Sequence, residues 1–138
     1  FLKGWRPDMA KEPLEAIELL AENEMVISRI YRVFSERFPE FHDFWDKMAE
    51  EEVQHADMIR SVVPEVKEGT VRFKAQRFDE TSVGMFRDYL KYSLVRAAEQ
   101  DIPLKDAFET ALAIEHDLME RSFFVMASMD STAARTSG

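Results

Sequence analysis

The sequence predicts an all-α protein: one domain built as an antiparallel four-helix bundle, or as helical hairpins that complete a bundle by dimerising. Three observations lead there. Glycine and proline are scarce, 4 and 5 in 138 residues, so the punctuation that an all-β chain of short strands requires is missing. Glu, Ala, Leu, Met and Lys, all good helix formers, are abundant. Apolar residues make up 46% of the chain, enough for one sizeable core at this length, and they recur at helical spacing.

The first helix is expected over about 11–38. Ile17, Leu20, Ile27, Tyr31, Phe34 and Phe38 form one stripe, while Glu22, Arg29, Arg32 and Glu36 fall largely off it. Pro39 breaks the pattern and can open a second helix, because a first-turn N–H has no intrahelical partner to lose. So short a joint pairs the two helices antiparallel. The second helix is expected over about 40–62, with Phe41, Trp45, Met48, Ile59 and Val62 inward and Pro64 just beyond it. Residues 63–81 carry no sustained helical period, although Val71-Arg72-Phe73 has the character of a brief extended segment. The stretch reads as a long crossover. Thr81 or Ser82 is placed to cap a third helix, about 83–99, with Val83, Phe86, Leu90, Leu94 and Ala97 inward. Asp101-Ile102-Pro103 marks a turn. The fourth helix, about 103–127, turns Leu104, Phe108, Ala111, Leu118 and Val125 inward, and the small polar run 128–138 reads as a tail.

Composition also excludes. A formal charge of −9 with no local Lys/Arg cluster argues against direct contact with nucleic acid. With no cysteine there is no disulfide, thiolate zinc site, iron–sulfur cluster or cysteine nucleophile, which fits a cytoplasmic protein. No apolar run approaches the roughly 18 residues of a membrane span, and the first residues lack a secretory signal's apolar stretch.

The informative residues are those that interrupt the apolar stripes. Glu24 sits mid-face on helix 1, Glu52 and His55 at the centre of the face on helix 2, and Glu115 at the corresponding place on helix 4. An isolated buried carboxylate costs several kcal/mol, about as much as a weak domain can lose, so it must be neutral, paired or bound to a cation. The Glu-x-x-His spacing puts Glu52 and His55 one turn apart on one face, within reach of a shared ion. Counted outward from Pro39, Glu24 lies 15 residues before and Glu52 13 residues after. At about 1.5 Å per residue their heights differ by roughly 3 Å, so the side chains can converge.

A single mid-face Glu is more often salt-bridged than a ligand, and a lone Glu-x-x-His is a weak signal. Their coincidence at one depth makes a metal the better reading for Glu24, Glu52 and His55, with Glu115 a further contributor. Glu50 and Glu51 point about 200° and 100° away from Glu52 and read as solvated charge. His42 reads as exposed, and His116 is rotated about 100° from Glu115. Tyr31, two turns from Glu24 on the same face, reads either as core with a bonded hydroxyl or as a neighbour that orients a ligand.

These residues resemble the ferritin-like, rubrerythrin-like diiron carboxylate family. The likeness rests on Glu24 with Tyr31 in helix 1, on Ala49-Glu50-Glu51-Glu52-Val53-Gln54-His55-Ala56 in helix 2, and on Ala107-Phe108-Glu109-Thr110-Ala111-Leu112-Ala113-Ile114-Glu115, and it spans roughly residues 12–127. The family's site takes one Glu from each of two helices and Glu-x-x-His from each of two others. The resemblance therefore implies Glu24, Glu52, His55 and Glu115 as metal ligands, Tyr31 beside them, and two iron ions, with manganese or zinc as alternatives. A second Glu-x-x-His is missing. Either helix 3 is an added connector, 103–127 is the third bundle helix and the last helix is lost, or two copies of the first hairpin pair about a two-fold axis. The second reading makes the protein a homodimer or larger.

The resemblance further implies ferroxidase or peroxide-reducing chemistry with dioxygen or hydrogen peroxide as oxidant. Without cysteine the chain holds no rubredoxin-type centre, so an external electron donor is implied. The contrasting reading is a non-catalytic helical module whose site is vestigial or merely structural.

Overall fold

Helix α1, Lys11–Arg37, is the axis around which the other helices pack. In the computed structural model residues 4–73 and 80–131 are described, with side chains for 4–70 and 81–119. Pro13 is tolerated in the first turn of α1. The helix stops at Phe38, whose backbone (φ −124°, ψ 72°) leaves the helical region because the following Pro39 crowds it. Its buried surface is wider than one stripe. Asn23, Val26, Ser28 and Ile30 are buried beside Ile17, Leu20, Glu24, Ile27, Tyr31 and Phe34, because α1 has helices on two sides, while Glu22, Arg29, Arg32 and Glu36 are exposed as expected.

A 3-10 turn, Pro39–Phe41, leads into α2, His42–Arg60, so the second helix is shorter at both ends than the expected 40–62. The hairpin register is written in its cross-links. Ser35 Oγ lies 2.7 Å from His42 Nδ1, the rings of Tyr31 and Trp45 are 5.7 Å apart, and Ser28 Oγ donates to the Ala49 carbonyl at 2.9 Å. As one partner's number falls the other's rises, which is an antiparallel pair at constant stagger. Arg60 closes the far end on Glu18 at 2.9 Å.

The face that α2 buries is rotated from the expected one. Trp45, Ala49, Glu52 and Ala56 are buried, Met48, Ile59 and Val62 are half-buried, and Phe41 and His55 are exposed. Alanine at 49 and 56 lets the backbones of α1 and α2 approach closely enough for the Ser28 hydroxyl to reach a main-chain carbonyl.

The expected crossover is not a structureless strap. Val63–Glu68 forms a short helix, α3, with Pro64 in its first turn and Gly69 in the left-handed region (φ 78°) at its end. A Cβ on Gly69 would lie 2.5 Å from Trp5 Cδ2, so glycine here meets both a backbone and a space requirement. Val66 packs with Ala10 and Ile17 in a small satellite core. Val71–Phe73 is extended, as expected, and forms β1, paired antiparallel with β2, Met129–Ser131. The run read as a tail thus begins with a paired strand, and its remainder, 132–138, lies outside the described residues.

Helix α4, Glu80–Glu99, contains Thr81 and Ser82 in its first turn, so neither caps it from outside. Asn23 Nδ2 donates to the Val83 carbonyl (3.3 Å) and Arg37 Nη2 to the Ala98 carbonyl (2.6 Å), so α4 runs alongside α1 in the same direction. It carries the chain from the end where α2 finishes to the end where α2 began, and the crossing is therefore made by a helix. Its inward residues, Val83, Phe86, Leu90 and Ala97, are buried as expected.

Helix α5, Leu104–Ser128, then returns parallel to α2. Phe108 meets Trp45 at 5.2 Å and Phe41 at 5.7 Å, and Glu115 reaches Tyr31. Ala107, Ala111 and Ile114 complete a core shared with Ile27, Ile30, Phe34, Trp45 and Leu90; Val125 lies where side chains are not described. Along this core the inner face of the α1–α2 hairpin is filled by α4 and α5 of the same chain. No helix among the described residues is long and apolar enough to cross a membrane.

Trp45 is fully buried, with ring centroids of Tyr31, Phe34, Phe44 and Phe108 within 6 Å. Trp45→Ala is expected to cost about 3–5 kcal/mol, read as a fall in thermal midpoint of about 10 °C or more. An unchanged midpoint would mean that α5 does not pack on α2 as described.

Candidate metal centre

Three helices deliver acids to one place in the core. Glu24 comes from the middle of α1, Glu52 from α2 and Glu115 from α5. Glu24 and Glu52 are 5% and 2% exposed; Glu115 is half-buried and His55, one turn beyond Glu52, is exposed. The residues reach these positions because each interrupts an otherwise apolar face that the core must enclose. Helix periodicity, applied to buried neighbours, withdraws Glu24 and Glu52 from solvent and leaves Glu115 half-buried.

Glu24, Glu52 and His55 present ligand atoms that all lie within 4.8 Å of one another. His55 Nδ1 is 3.3 Å from Glu52 Oε2 and 3.9 Å from Glu24 Oε2. Glu115 sits on the other side of Glu52. Its Oε1 accepts a hydrogen bond of 2.7 Å from the Tyr31 hydroxyl, and Glu52 interacts with both Glu24 and Glu115. In this row of acids Glu52 thus interacts with both other carboxylates and lies nearest to the imidazole, while Tyr31 is bonded to Glu115.

The electrostatics of that row follow from burial without a cation. No Lys or Arg is paired with any of the three acids among the described ion pairs. Burial first, and then the carboxylates of Glu24 and Glu115, push the Glu52 carboxyl up to about 11. Burial raises Glu24 as well, partly opposed by its hydrogen bond with Glu52 and by His55. Burial and the adjoining Glu115 carboxylate also raise the Tyr31 hydroxyl above the ordinary tyrosine value. Glu24 Oε2 is buried with no hydrogen-bond partner, a cost of about 1–3 kcal/mol or more for a group that carries charge. With no Lys or Arg paired to them, burial sets the direction at Glu52, Glu24 and Tyr31. A divalent cation would reverse each term.

All four expected ligands and Tyr31 therefore stand together. Three of them form the tight group, and Glu115 joins it through Glu52 and Tyr31. Glu50, Glu51 and His116 are exposed, as expected. His42 is exposed too, but it is engaged at the hairpin end, where its Nε2 lies 3.0 Å from Asp46 and its Nδ1 contacts Ser35. Sequence reasoning missed Asn23 and Ser28, both buried and both bonded to a neighbouring helix. Their signal was present in their positions, one residue before Glu24 and one turn after it, on the flanks of the stripe. The buried face of α4 carries no ligand: apart from Ser93 it is Val83, Phe86, Leu90 and Ala97.

No protein-family model matches the chain, and comparison with curated proteins and with solved structures gives no match.

Proposed function

We propose that this chain is a carboxylate-bridged dinuclear metal protein, iron being the favoured metal and manganese or zinc the alternatives, and that it works as a redox protein of ferroxidase or peroxide-reducing type. The observation that carries the reading is a convergence of acids in the core: two buried carboxylates and a half-buried one, from three helices, meet one imidazole with no Lys or Arg paired to them among the described ion pairs. Burying such a set is costly in every protonation state but one, that in which a metal replaces the protons. Oxygen and imidazole donors suit Fe, Mn and Zn. Glu24, Glu52 and His55 would hold one ion, and Glu52 with Glu115 would begin the coordination of a second.

The chain's own residues have separable tasks. Glu52 would be shared between the two ions, because it hydrogen-bonds with both remaining acids. Tyr31 donates to Glu115 and so fixes which oxygen of that carboxylate is left free for a ligand. His55 is the exposed member of the group and so marks its open edge, while Glu24 and Glu52 are withdrawn from water. Two such ions, when bound, supply one-electron couples and a place for dioxygen or hydrogen peroxide to react. A separate electron donor is required, since the chain has no cysteine with which to hold an iron–sulfur centre.

The apolar inner face of α4 favours a second reading, in which the donors of this chain hold a single structural ion. Anaerobic titration with ferrous iron separates the two. Two equivalents bound per site, followed by an oxo-bridged ferric absorption band on admitting oxygen or peroxide, is the expected result. One equivalent with no spectral change on oxidation supports the structural ion, and no binding at micromolar iron overturns both.

A further inference from the structure

Away from the metal centre, the outer face of α4 carries an apolar stripe that no part of the described chain covers. Met85, Tyr89, Tyr92 and Val95 are 68%, 42%, 65% and 53% exposed. On a helix they fall within an arc of about 120°, opposite the buried Val83, Phe86, Leu90 and Ala97. Scattered exposed apolar residues need no explanation, whereas four large ones in register along three turns form a contiguous patch. The hairpin end has exposed aromatics as well, but there Phe41 and Phe44 are in ring contact with Phe108. Tyr92, Met85 and Val95 have no such cover.

The charges beside the stripe indicate what covers it. Asp88, whose carboxylate lies 3.8 Å from Arg87 Nε in a solvent-exposed pair, and Lys91 are both exposed; Asp88 falls between Tyr92 and Val95 on the helix surface and Lys91 about 60° further round on the same side. When two copies of a helix pack antiparallel about a two-fold axis, the same flank of each faces the other. An axis passing near residues 89 and 90 would set Asp88 of each copy against Lys91 of the other, in two equivalent ion pairs. The same axis would bring Met85 of each copy to Val95 of the other and cluster the four tyrosines at the centre. An apolar stripe that carries opposite charges three residues apart toward one side can be self-complementary, which is the requirement of an isologous contact. Exposed patches of a few hundred Å², counted on both copies, approach the roughly 1,000 Å² at which specific interfaces begin. Tyrosine is also among the residues most enriched in the cores of interfaces.

We infer that the protein forms a two-fold dimer through the outer face of α4, with Met85, Tyr89, Tyr92 and Val95 at its centre and reciprocal Asp88–Lys91 pairs at its edge. This dimer differs from one made by pairing α1–α2 hairpins, since it uses the side of α4 that faces away from the metal centre and leaves all four ligands within one chain.

Sedimentation velocity of the full chain at about ten micromolar is the test. The wild-type protein is expected to run as a dimer. Tyr92→Glu places a charge at the centre and is expected to give a monomer. Asp88→Lys sets like charges against each other and is expected to weaken the dimer about tenfold or more. Combining Asp88→Lys with Lys91→Asp is expected to restore it, which a merely structural role for either residue would not do. Circular dichroism and metal stoichiometry should be the same in all four proteins, because the substituted side chains lie on the surface away from the acids. A monomeric wild type, a dimer indifferent to Asp88→Lys, or a double variant no better than the single one would each overturn the inference. None of these outcomes bears on the metal centre.

Discussion

Glu52→Gln is expected to bind iron at least about a hundredfold more weakly than the wild-type protein while its helical circular-dichroism spectrum is unchanged. Position and shape both lead to this result. Glu52 hydrogen-bonds with both Glu24 and Glu115, so its loss would remove a ligand from each ion, and losses of that kind exceed the 10–100-fold typical of residues that only orient a ligand. Glutamine has the shape of the protonated carboxyl that the metal-free core holds at neutral pH, so packing is conserved. Glu52→Ala is a blunter test, because it adds a cavity to the lost ligand. His55→Ala complements both: the ring is exposed, so its removal is expected to lower metal affinity with almost no change in thermal midpoint. If the glutamine variant still takes up two irons per site by metal analysis, Glu52 is not a ligand.

The second large effect is on the pH dependence of stability, and its sign is unusual for a carboxylate. The Glu52 pKa rises from an ordinary value of 4.5 in the unfolded chain to about 11 in the metal-free fold, and Glu24 moves in the same direction. The folded state therefore binds more protons than the unfolded state between those limits. Stability from these groups is fully present below about 4.5 and is lost progressively as pH rises through the neutral range toward the folded value. One extra proton held by the fold corresponds to a slope of at most about 1.4 kcal/mol per pH unit. The thermal midpoint of the metal-free protein should thus fall steadily from pH 6 to pH 9. Glu52→Gln should flatten that fall. Metal should reverse it, since ligands must shed protons to bind and affinity rises with pH. A metal-free midpoint that holds level or climbs over this range would show that the acids are ionised in the fold and already compensated.

Much of this was legible in the chain, for a physical reason that also marks its limits. Ile17, Leu20, Ile27, Tyr31 and Phe34 announced the face of α1 because large side chains dominate a hydrophobic period. An acid in such a face, as at Glu24 and Glu52, stands out by contrast. On α2 the same weighting misled: Ala49 and Ala56 are buried to zero exposure, yet small residues contribute little to a stripe, and the expected face through Phe41, Met48 and Ile59 lies about 50° from the buried one, the two sharing Trp45 and Glu52. Helix α3 is six residues long, too short for periodicity to register, although Pro64 at its start and Gly69 at its end were its punctuation. The direction of α4 could not be read from α4 itself, since its amphipathic pattern is the same whichever way it runs. That direction was set by the Asn23–Val83 and Arg37–Ala98 contacts, which join residues about 60 positions apart.

The row of acids also has a meaning for the chain as a polymer. Residues 24, 52 and 115 belong to segments that diffuse independently until the fold closes, and α5 is held to α1 and α2 by side chains at Phe108, Ile114 and Glu115. An ion spanning these three positions would act as a removable staple. It would close a loop of some ninety residues between positions 24 and 115, and loops of such length are the ones whose closure carries the largest entropic term. The free metal concentration would then set the fraction of time that the last helix spends docked.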